Sequence, residues 1–389
     1  MMSSISSPST SPVVLITGAS GMLGRALHRL LLRCNADDST SSYEVVGIGH
    51  TRLTVTHYHE HFPPPNNVTI HSSSSSAVSA ADDLARTVKL HKLDLLDHDA
   101  TTEFIQNYRP DIIIHCAAQR YPDTFESKLE QSIQLNVEST RHLAQLCTSQ
   151  PDYRPTLIYI STSFVFDGGV ISKEFPPYVP TSVAHQINSY GRSKWDGECA
   201  IRDVMNATNN SHSGGRGIIV RVPLLYGEDC VQLDESPALE MMKVLLPAAA
   251  AGGGESKIKP KMIDNWALRF PTSCEDVAKA LKLMIDRALF DKQFSGTYHV
   301  SSPYGTTKYG LLQLQSQLLN VPKSELDERA VGNDDNPLAA NPSAAPRPQC
   351  TQLNCEDTWA ALGCQVEFTT LQEGMRRASR GFPGRFAEC

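Results

Sequence analysis

One stretch constrains this chain more than any other: Val13-Val14-Leu15-Ile16-Thr17-Gly18-Ala19-Ser20-Gly21-Met22-Leu23-Gly24-Arg25-Ala26-Leu27. An apolar run of strand type enters three glycines spaced three apart, and a helical pattern leaves them. Glycine permits the tight turn and lets an anion approach main-chain N–H groups that a Cβ would shield. The helix that follows offers its first unpaired N–H groups, and the positive end of its dipole, to that anion. Such a strand–turn–helix is the first unit of a doubly wound α/β sheet, where it cradles a nucleotide pyrophosphate. Alone, the spacing also fits a tight turn with no ligand, and other parts of the chain must discriminate.

Strand and helix patterns alternate onward from that turn. Strands are predicted at Glu44–Gly49, at Val88–Leu93 (ending at Asp94), at Asp111–Ala118, at Pro155–Ser163 and at Gly217–Val222. Helices are predicted up to Tyr108, over Glu126–Ser149 and over Ser189–Asn206. Continuous apolar runs such as Asp111–Ala118 are of buried parallel type. With helical crossovers between them they imply a doubly wound parallel sheet with right-handed connections. Past Tyr226 the pattern loosens, with helices expected at Glu275–Leu289, Lys308–Leu319, Cys355–Leu362 and Thr370–Ser379, and a strand at Gly296–Ser301.

The expected organisation is a disordered tail over 1–11, a nucleotide-binding α/β domain over 12–225, and a smaller substrate-type lobe over 226–389. That lobe is expected to fold against the carboxyl edge of the sheet, interleaved with the first domain. Residues 50–86 form a polar insert carrying Pro63-Pro64-Pro65 and the run Ser72–Ser76. Too few apolar residues lie there to offset the entropy of ordering, so most of it is expected to be mobile. His50, His57, His59, His61 and His71 have neither a neighbouring cysteine nor a rigid frame, which favours a solvated loop over a metal site.

Composition removes several classes. A net charge of −7 with mixed signs argues against a general nucleic-acid or membrane-surface binder. No apolar run approaches the roughly 18 residues that span a bilayer. The serine-rich N-terminus lacks the basic and apolar regions of a signal peptide. Ten scattered cysteines with no C-x-x-C pair suit free thiols in a reducing cytoplasm, without a disulfide framework or a metal site.

A second constellation is Tyr190-Gly191-Arg192-Ser193-Lys194, which puts a phenol and an ammonium on one helix face. Hydride transfer to a carbonyl needs a proton donor, and a phenol of pKa about 10 serves poorly near neutrality. A neighbouring ammonium is expected to favour the phenolate. Ser161, Thr162 and Ser163 end the fifth strand at the carboxyl edge, where a hydroxyl can hold the carbonyl oxygen. A surface Tyr/Lys pair is the bland alternative; the glycine turn and the hydroxyl-ended strand, in this order, favour a nucleotide site.

Together these residues carry a resemblance. ITGASGMLG, the DL after the third strand, HCAA, LNV (135–137), STSFVFDG (161–168), YGRSK and RVPLLYG (221–227) resemble the extended short-chain dehydrogenase/reductases. Within them the chain is similar to the dTDP-4-dehydrorhamnose reductase group, and most of all to the methionine adenosyltransferase regulatory beta subunits of that group. Arg120-Tyr121-Pro122-Asp123, Asp264-Asn265-Trp266 with Arg269-Phe270-Pro271-Thr272, Thr307-Lys308-Tyr309 and Pro346-Arg347-Pro348 carry the narrower likeness, which runs from Val13 to about Gly381.

The resemblance implies an NADP cofactor and assigns its contacts. Gly18, Ser20, Gly21, Met22, Leu23 and Gly24 correspond to the pyrophosphate turn. His50, Thr51 and Arg52 correspond to the segment at the adenosine ribose, and Asp94 and Leu95 to the adenine contacts. Cys116 and Arg120 follow the fourth strand, Tyr190 and Lys194 hold the nicotinamide ribose, and Leu225 lies on the nicotinamide side. No carboxylate closes the second strand where NAD specificity places one, and Arg52 is placed for a 2′-phosphate. Thr51 stands where the beta subunits carry a second arginine.

Ser163 and Phe164 depart from the Asp and Tyr that the reductases and the beta subunits carry there. The reductase-type set Thr162, Tyr190 and Lys194 survives. The resemblance therefore implies a non-catalytic subunit that associates with a catalytic methionine adenosyltransferase and modulates S-adenosylmethionine synthesis. The alternative is an NADPH-dependent reductase of a nucleotide-linked 4-keto sugar. The C-terminus, Gly381–Cys389, does not match the tail by which the beta subunits dock.

Overall fold

The computed structural model describes residues 11–37, 43–50, 68–71, 88–150, 152–208, 215–228, 230, 232–246, 260–336 and 345–380. Twelve strands lie among them: β1 (Val13–Thr17), β2 (Glu44–Gly49), β3 (Val68–His71), β4 (Val88–Lys92), β5 (Ile112–His115), β6 (Thr156–Thr162), β7 (Arg216–Val222), β8 (Leu225–Tyr226), β9 (Lys261–Asp264), β10 (Thr272–Ser273), β11 (Gly296–His299) and β12 (Ala330–Asn333). Eight form one sheet in the order β11-β7-β6-β5-β1-β2-β4-β3, and every pairing is parallel. β8 pairs with β10, and β9 with β12, outside it.

The order fixes where a ligand can sit. From β1 the chain steps outward through β2 to β4, with β3 beyond it, then returns to β5 on the other side of β1 and proceeds to β6, β7 and β11. That reversal between β1 and β5 opens a crevice at the carboxyl ends of the strands, the usual nucleotide position in such sheets.

β1 is buried on both faces. Val14 and Ile16 join a core with Leu23, Leu27 and Leu31 of the helix Met22–Asp37 and with Val277, Leu281 and Met284 of the helix Cys274–Phe290. Leu15 points the other way, to Ile105, Leu143, Leu157 and Ile201. Each such side chain contributes about 1.5–3 kcal/mol relative to exposure. Both faces are therefore covered, as a doubly wound sheet requires.

Two segments differ from expectation. β3 lies inside the 50–86 insert, where the sequence predicts no element, and pairs with β4 from Val68↔Val88 to His71↔His91. Predicted as one helix, Glu126–Ser149 is instead broken. It runs as Pro122–Ser127, Leu129–Ile133, a π turn over Gln134–Glu138, and Ser139–Leu146. The π turn carries buried Asn136, whose side chain accepts from Gln119 N (2.8 Å) and donates to Gln119 O (2.9 Å) and Ser193 Oγ (3.1 Å). No described helix is long and apolar enough to cross a membrane, and no described cluster of His, Cys, Asp and Glu could hold a metal ion.

Candidate nucleotide-binding cleft

The three glycines of the first turn do different work. Gly18 sits at φ +65°, and a Cβ there would lie 2.7 Å from Ala117 N, so position and conformation both exclude a side chain. A Cβ on Gly24 would collide with Gly18 O; its absence lets the helix pack against the turn. At Gly21 the only near atom is Gly18 O at 3.2 Å, so this glycine leaves open space beside the turn. Gly21 N donates to Gly18 O at 2.9 Å, and Arg25 N to Gly21 O at 2.9 Å. Met22 and Leu23 bury their side chains, leaving to the cleft the first helical amides, which have no intrahelical acceptor. The turn thus fits a pyrophosphate: clear backbone, unpaired donors and an open approach at Gly21.

Sequence spacing gives no sign of what braces this turn. Ser20 O accepts from Arg25 Nη1 at 2.5 Å, and Arg25 pairs with Glu235 at 2.7 Å, both 3% exposed. This buried contact ties the turn to a segment 210 residues away.

At the next strand ends, half-exposed His50 and Asp94 face each other, Nε2 to Oδ2 at 3.7 Å. Leu95 beside them is buried. Thr51 and Arg52 lie outside the described residues. Cys116 N extends the ladder to Thr17 O at 3.2 Å, and burial pushes its thiol up to about 12, which leaves it a neutral thiol. Arg120 lays its guanidinium over Tyr121, 4.8 Å from the ring centre, and Tyr121 OH donates to Asp234 O.

The three hydroxyls ending β6 have separate partners. Ser161 donates to Glu198 at 2.5 Å, a buried carboxylate also paired with Arg221 at 2.8 Å. Buried Ser163 accepts from Thr351 Oγ1 at 3.0 Å. Thr162 lies between them, its Oγ1 accepting from Phe164 N at 3.2 Å. The helix Ser189–Thr208 reaches this strand end because a Cβ on Gly191 would collide with Phe164 O. Its start is held by Asn188, which accepts from Gly191 N at 2.7 Å and donates to Pro346 O at 2.9 Å.

The electrostatics differ from the expectation of a phenol pulled down by Lys194. Burial raises Tyr190 above the ordinary phenol value, and Thr162 and Arg120 only partly oppose it. Lys194, 2% exposed, places Nζ 4.0 Å from the centre of the Tyr159 ring. Burial brings its ammonium down to about 7, against the pull of Glu198. Tyr190 and Lys194 share a helix face, and the ammonium's partner is the π face of Tyr159 on β6, which sequence spacing does not indicate.

The Phe164 and Tyr190 rings meet edge to face, centres 6.3 Å apart, and the Arg269 guanidinium lies 5.8 Å from the Phe164 ring centre. The strand end therefore carries neither the carboxylate nor the phenol of the reductase pattern. Leu225, in β8, pairs with Thr272, and its carbonyl accepts from Ser236 Oγ at 2.7 Å.

Sheet order, glycine turn and the Thr162–Tyr190–Lys194 grouping define the class: a doubly wound α/β protein of short-chain dehydrogenase/reductase type. Residues 12–378 match the family model for the RmlD substrate binding domain, and the chain belongs to that family. It is similar to methionine adenosyltransferase 2 subunit beta of Danio rerio, 32% identical over 363 residues covering 93% of this chain and 88% of that protein. The Rattus norvegicus protein of the same name is 30% identical, over 88% of this chain and 80% of its own length. Among solved structures, dTDP-4-dehydrorhamnose reductase from Bacillus anthracis in complex with NADP superposes with TM-score 0.62 at 19% identity, covering 95% of this chain and 98% of that one. UDP-glucose 4-epimerase from Bifidobacterium longum in complex with NAD+ and UDP gives TM-score 0.67 at 16% identity, covering 94% and 96%. These structural likenesses show the fold.

Proposed function

We propose that this chain is an NADP-binding, non-catalytic regulatory subunit that associates with a catalytic methionine adenosyltransferase in the cytoplasm and modulates S-adenosylmethionine synthesis. The carrying observation is the likeness to methionine adenosyltransferase 2 beta subunits at about 30% identity over nearly the whole chain. The strand end after Thr162 supports it, with Ser163 turned to Thr351 and Phe164 offering no ionisable group.

In this reading the first amides of the helix Met22–Asp37 bind the pyrophosphate, and open Gly21 lets it approach. Tyr190 and Lys194 hold the nicotinamide ribose, while His50, Asp94 and Leu95 flank the adenosine. Arg52 meets the 2′-phosphate. When bound, the reduced cofactor supplies a hydride donor, which the regulatory reading leaves unused.

The second reading, an NADPH-dependent reductase of a nucleotide-linked 4-keto sugar, draws on one observation: the Thr162 hydroxyl is near enough to the Tyr190 phenol to oppose its rise, with Lys194 one turn further along the helix. Co-purification separates the two. A catalytic methionine adenosyltransferase retained by the tagged chain in stoichiometric amount supports the subunit; none retained, at concentrations where both are folded, contradicts it.

A further inference from the structure

Three parts of the candidate cleft, the glycine turn, the Arg120 corner and Leu225, fasten to one short segment: the 3-10 turn Leu233–Glu235 with Ser236 after it. Arg25, on the helix that leaves the glycine turn, meets Glu235 with both ends of its guanidinium. Nη1 donates to Oε1 at 3.2 Å and Nη2 to Oε2 at 2.7 Å. Tyr121, whose hydroxyl accepts from Arg120 Nη2 at 3.1 Å, donates to the Asp234 carbonyl. Ser236 Oγ donates to Leu225 O at 2.7 Å and accepts from Ala238 N at 3.1 Å, which starts the helix Pro237–Glu240. Beyond it Leu239, Met242 and Leu245 enter the core with Leu311 and Leu312, and Ala238 O accepts from Gln315 Nε2 at 2.8 Å.

The Arg25–Glu235 pair is balanced in charge and closed to solvent, so its effect on the turn is geometric. Arg25 Nη1 also donates to Ser20 O at 2.5 Å, and Gly21 N donates to Gly18 O at 2.9 Å. Both ends of the planar Ser20–Gly21 peptide are therefore bonded. The orientation of that peptide decides which way the Met22 and Leu23 amides, the next donors in the chain, point. Replacing a buried ion pair by well-packed apolar side chains is often neutral for stability, whereas removing one partner strands a buried charge. What such a pair adds is then a fixed geometry, here shared between the turn and a segment 210 residues away.

We propose that Glu235 is a positioning residue of the glycine turn: it holds Arg25 against Ser20 O, and so couples the fit of the turn around a pyrophosphate to the placement of Leu233–Ser236. The coupling is reciprocal, because a ligand that tightens the turn must also tighten the segment bonded to it. This rests on the reading of the turn as an NADP site.

Hydrogen exchange and calorimetric titration of the full chain test it. In the wild type NADP should slow exchange in peptides spanning 233–240 as well as 20–25. Glu235→Gln, which keeps one acceptor for Arg25, should bind NADP about fivefold or more weakly, the lower end of coupling between linked sites, and lose the protection of 233–240. 2′-AMP, which lacks the pyrophosphate, should bind both forms equally. Arg25→Met combined with Glu235→Leu, which replaces the pair by apolar side chains, should keep a thermal midpoint near that of the wild type and still bind NADP weakly. Wild-type NADP affinity in Glu235→Gln or in the double variant, or exchange of 233–240 unchanged by NADP, would overturn the coupling. Equal weakening of 2′-AMP would also overturn it, as a general loss of the cleft. Failure of the wild type to bind NADP would count against the cofactor reading instead. Exchange of 20–25 in the ligand-free chain then decides the positioning: faster in Glu235→Gln supports it, and an unchanged rate overturns it.

Discussion

Lys194 rests its ammonium on the ring of Tyr159, 4.0 Å from the centroid and out of solvent. Burial places its folded pKa near 7 against an ordinary 10.5. Between those values the unfolded chain holds the proton more tightly than the folded one, so this group's contribution to stability rises with pH across that window. Ribose hydroxyls that accept from the ammonium favour its charged form. NADPH binding at pH 8 should therefore take up protons. Binding enthalpies in Tris and HEPES should differ accordingly, and Lys194→Met should remove the difference. Equal enthalpies in the wild type would contradict the assignment.

Gly21 and Gly24 separate binding from folding. Gly21→Val meets only Gly18 O at 3.2 Å and should keep a near-wild-type thermal midpoint while losing cofactor affinity. Gly24→Val drives a branched side chain into the turn backbone and should not fold. Normal cofactor affinity in Gly21→Val would show the turn is misassigned.

Ser163→Asp tests how far the strand end has diverged. The serine is buried against Thr351, so an aspartate there is desolvated with one hydroxyl partner and should cost about 1–3 kcal/mol in urea unfolding at pH 7. Phe164→Tyr, half-buried beside Tyr190, should be nearly neutral. An unchanged midpoint for Ser163→Asp would mean that the carboxylate finds the cleft after all.

Arg52 carries the expected preference for NADP over NAD. One charge-assisted contact is worth about 1.5–3 kcal/mol, roughly ten- to hundred-fold in affinity. Titration with both cofactors should show that margin in the wild type and its loss in Arg52→Ala. Equal wild-type affinities would refute it.

Sheet strands were legible where the chain carries continuous apolar runs, as at Ile112–His115 and Thr156–Thr162, because burial on both faces leaves no polar alternation. β3 was not, since four residues set between a proline triplet and a serine run carry too little pattern, and its pairing with β4 is a tertiary fact. The Tyr190/Lys194 spacing identified a shared helix face. What the ammonium rests on depends on the fit of that helix against β6, which no local pattern encodes. Arg269 and Arg347 were visible only as a resemblance; bridges such as Arg269–Thr306 and Leu268–Cys350 join segments far apart in sequence.

The central claim is that this chain serves a partner instead of turning over a sugar. Its most direct test is S-adenosylmethionine synthesis by a catalytic methionine adenosyltransferase, measured with and without the chain, beside NADPH oxidation by the chain alone on dTDP-4-keto-rhamnose. Losing a positioned acid–base group typically removes 10²–10⁴-fold in rate. A changed synthase rate or methionine dependence is expected, with barely measurable NADPH oxidation. Rapid NADPH oxidation with an unaffected synthase would contradict it and establish the reductase.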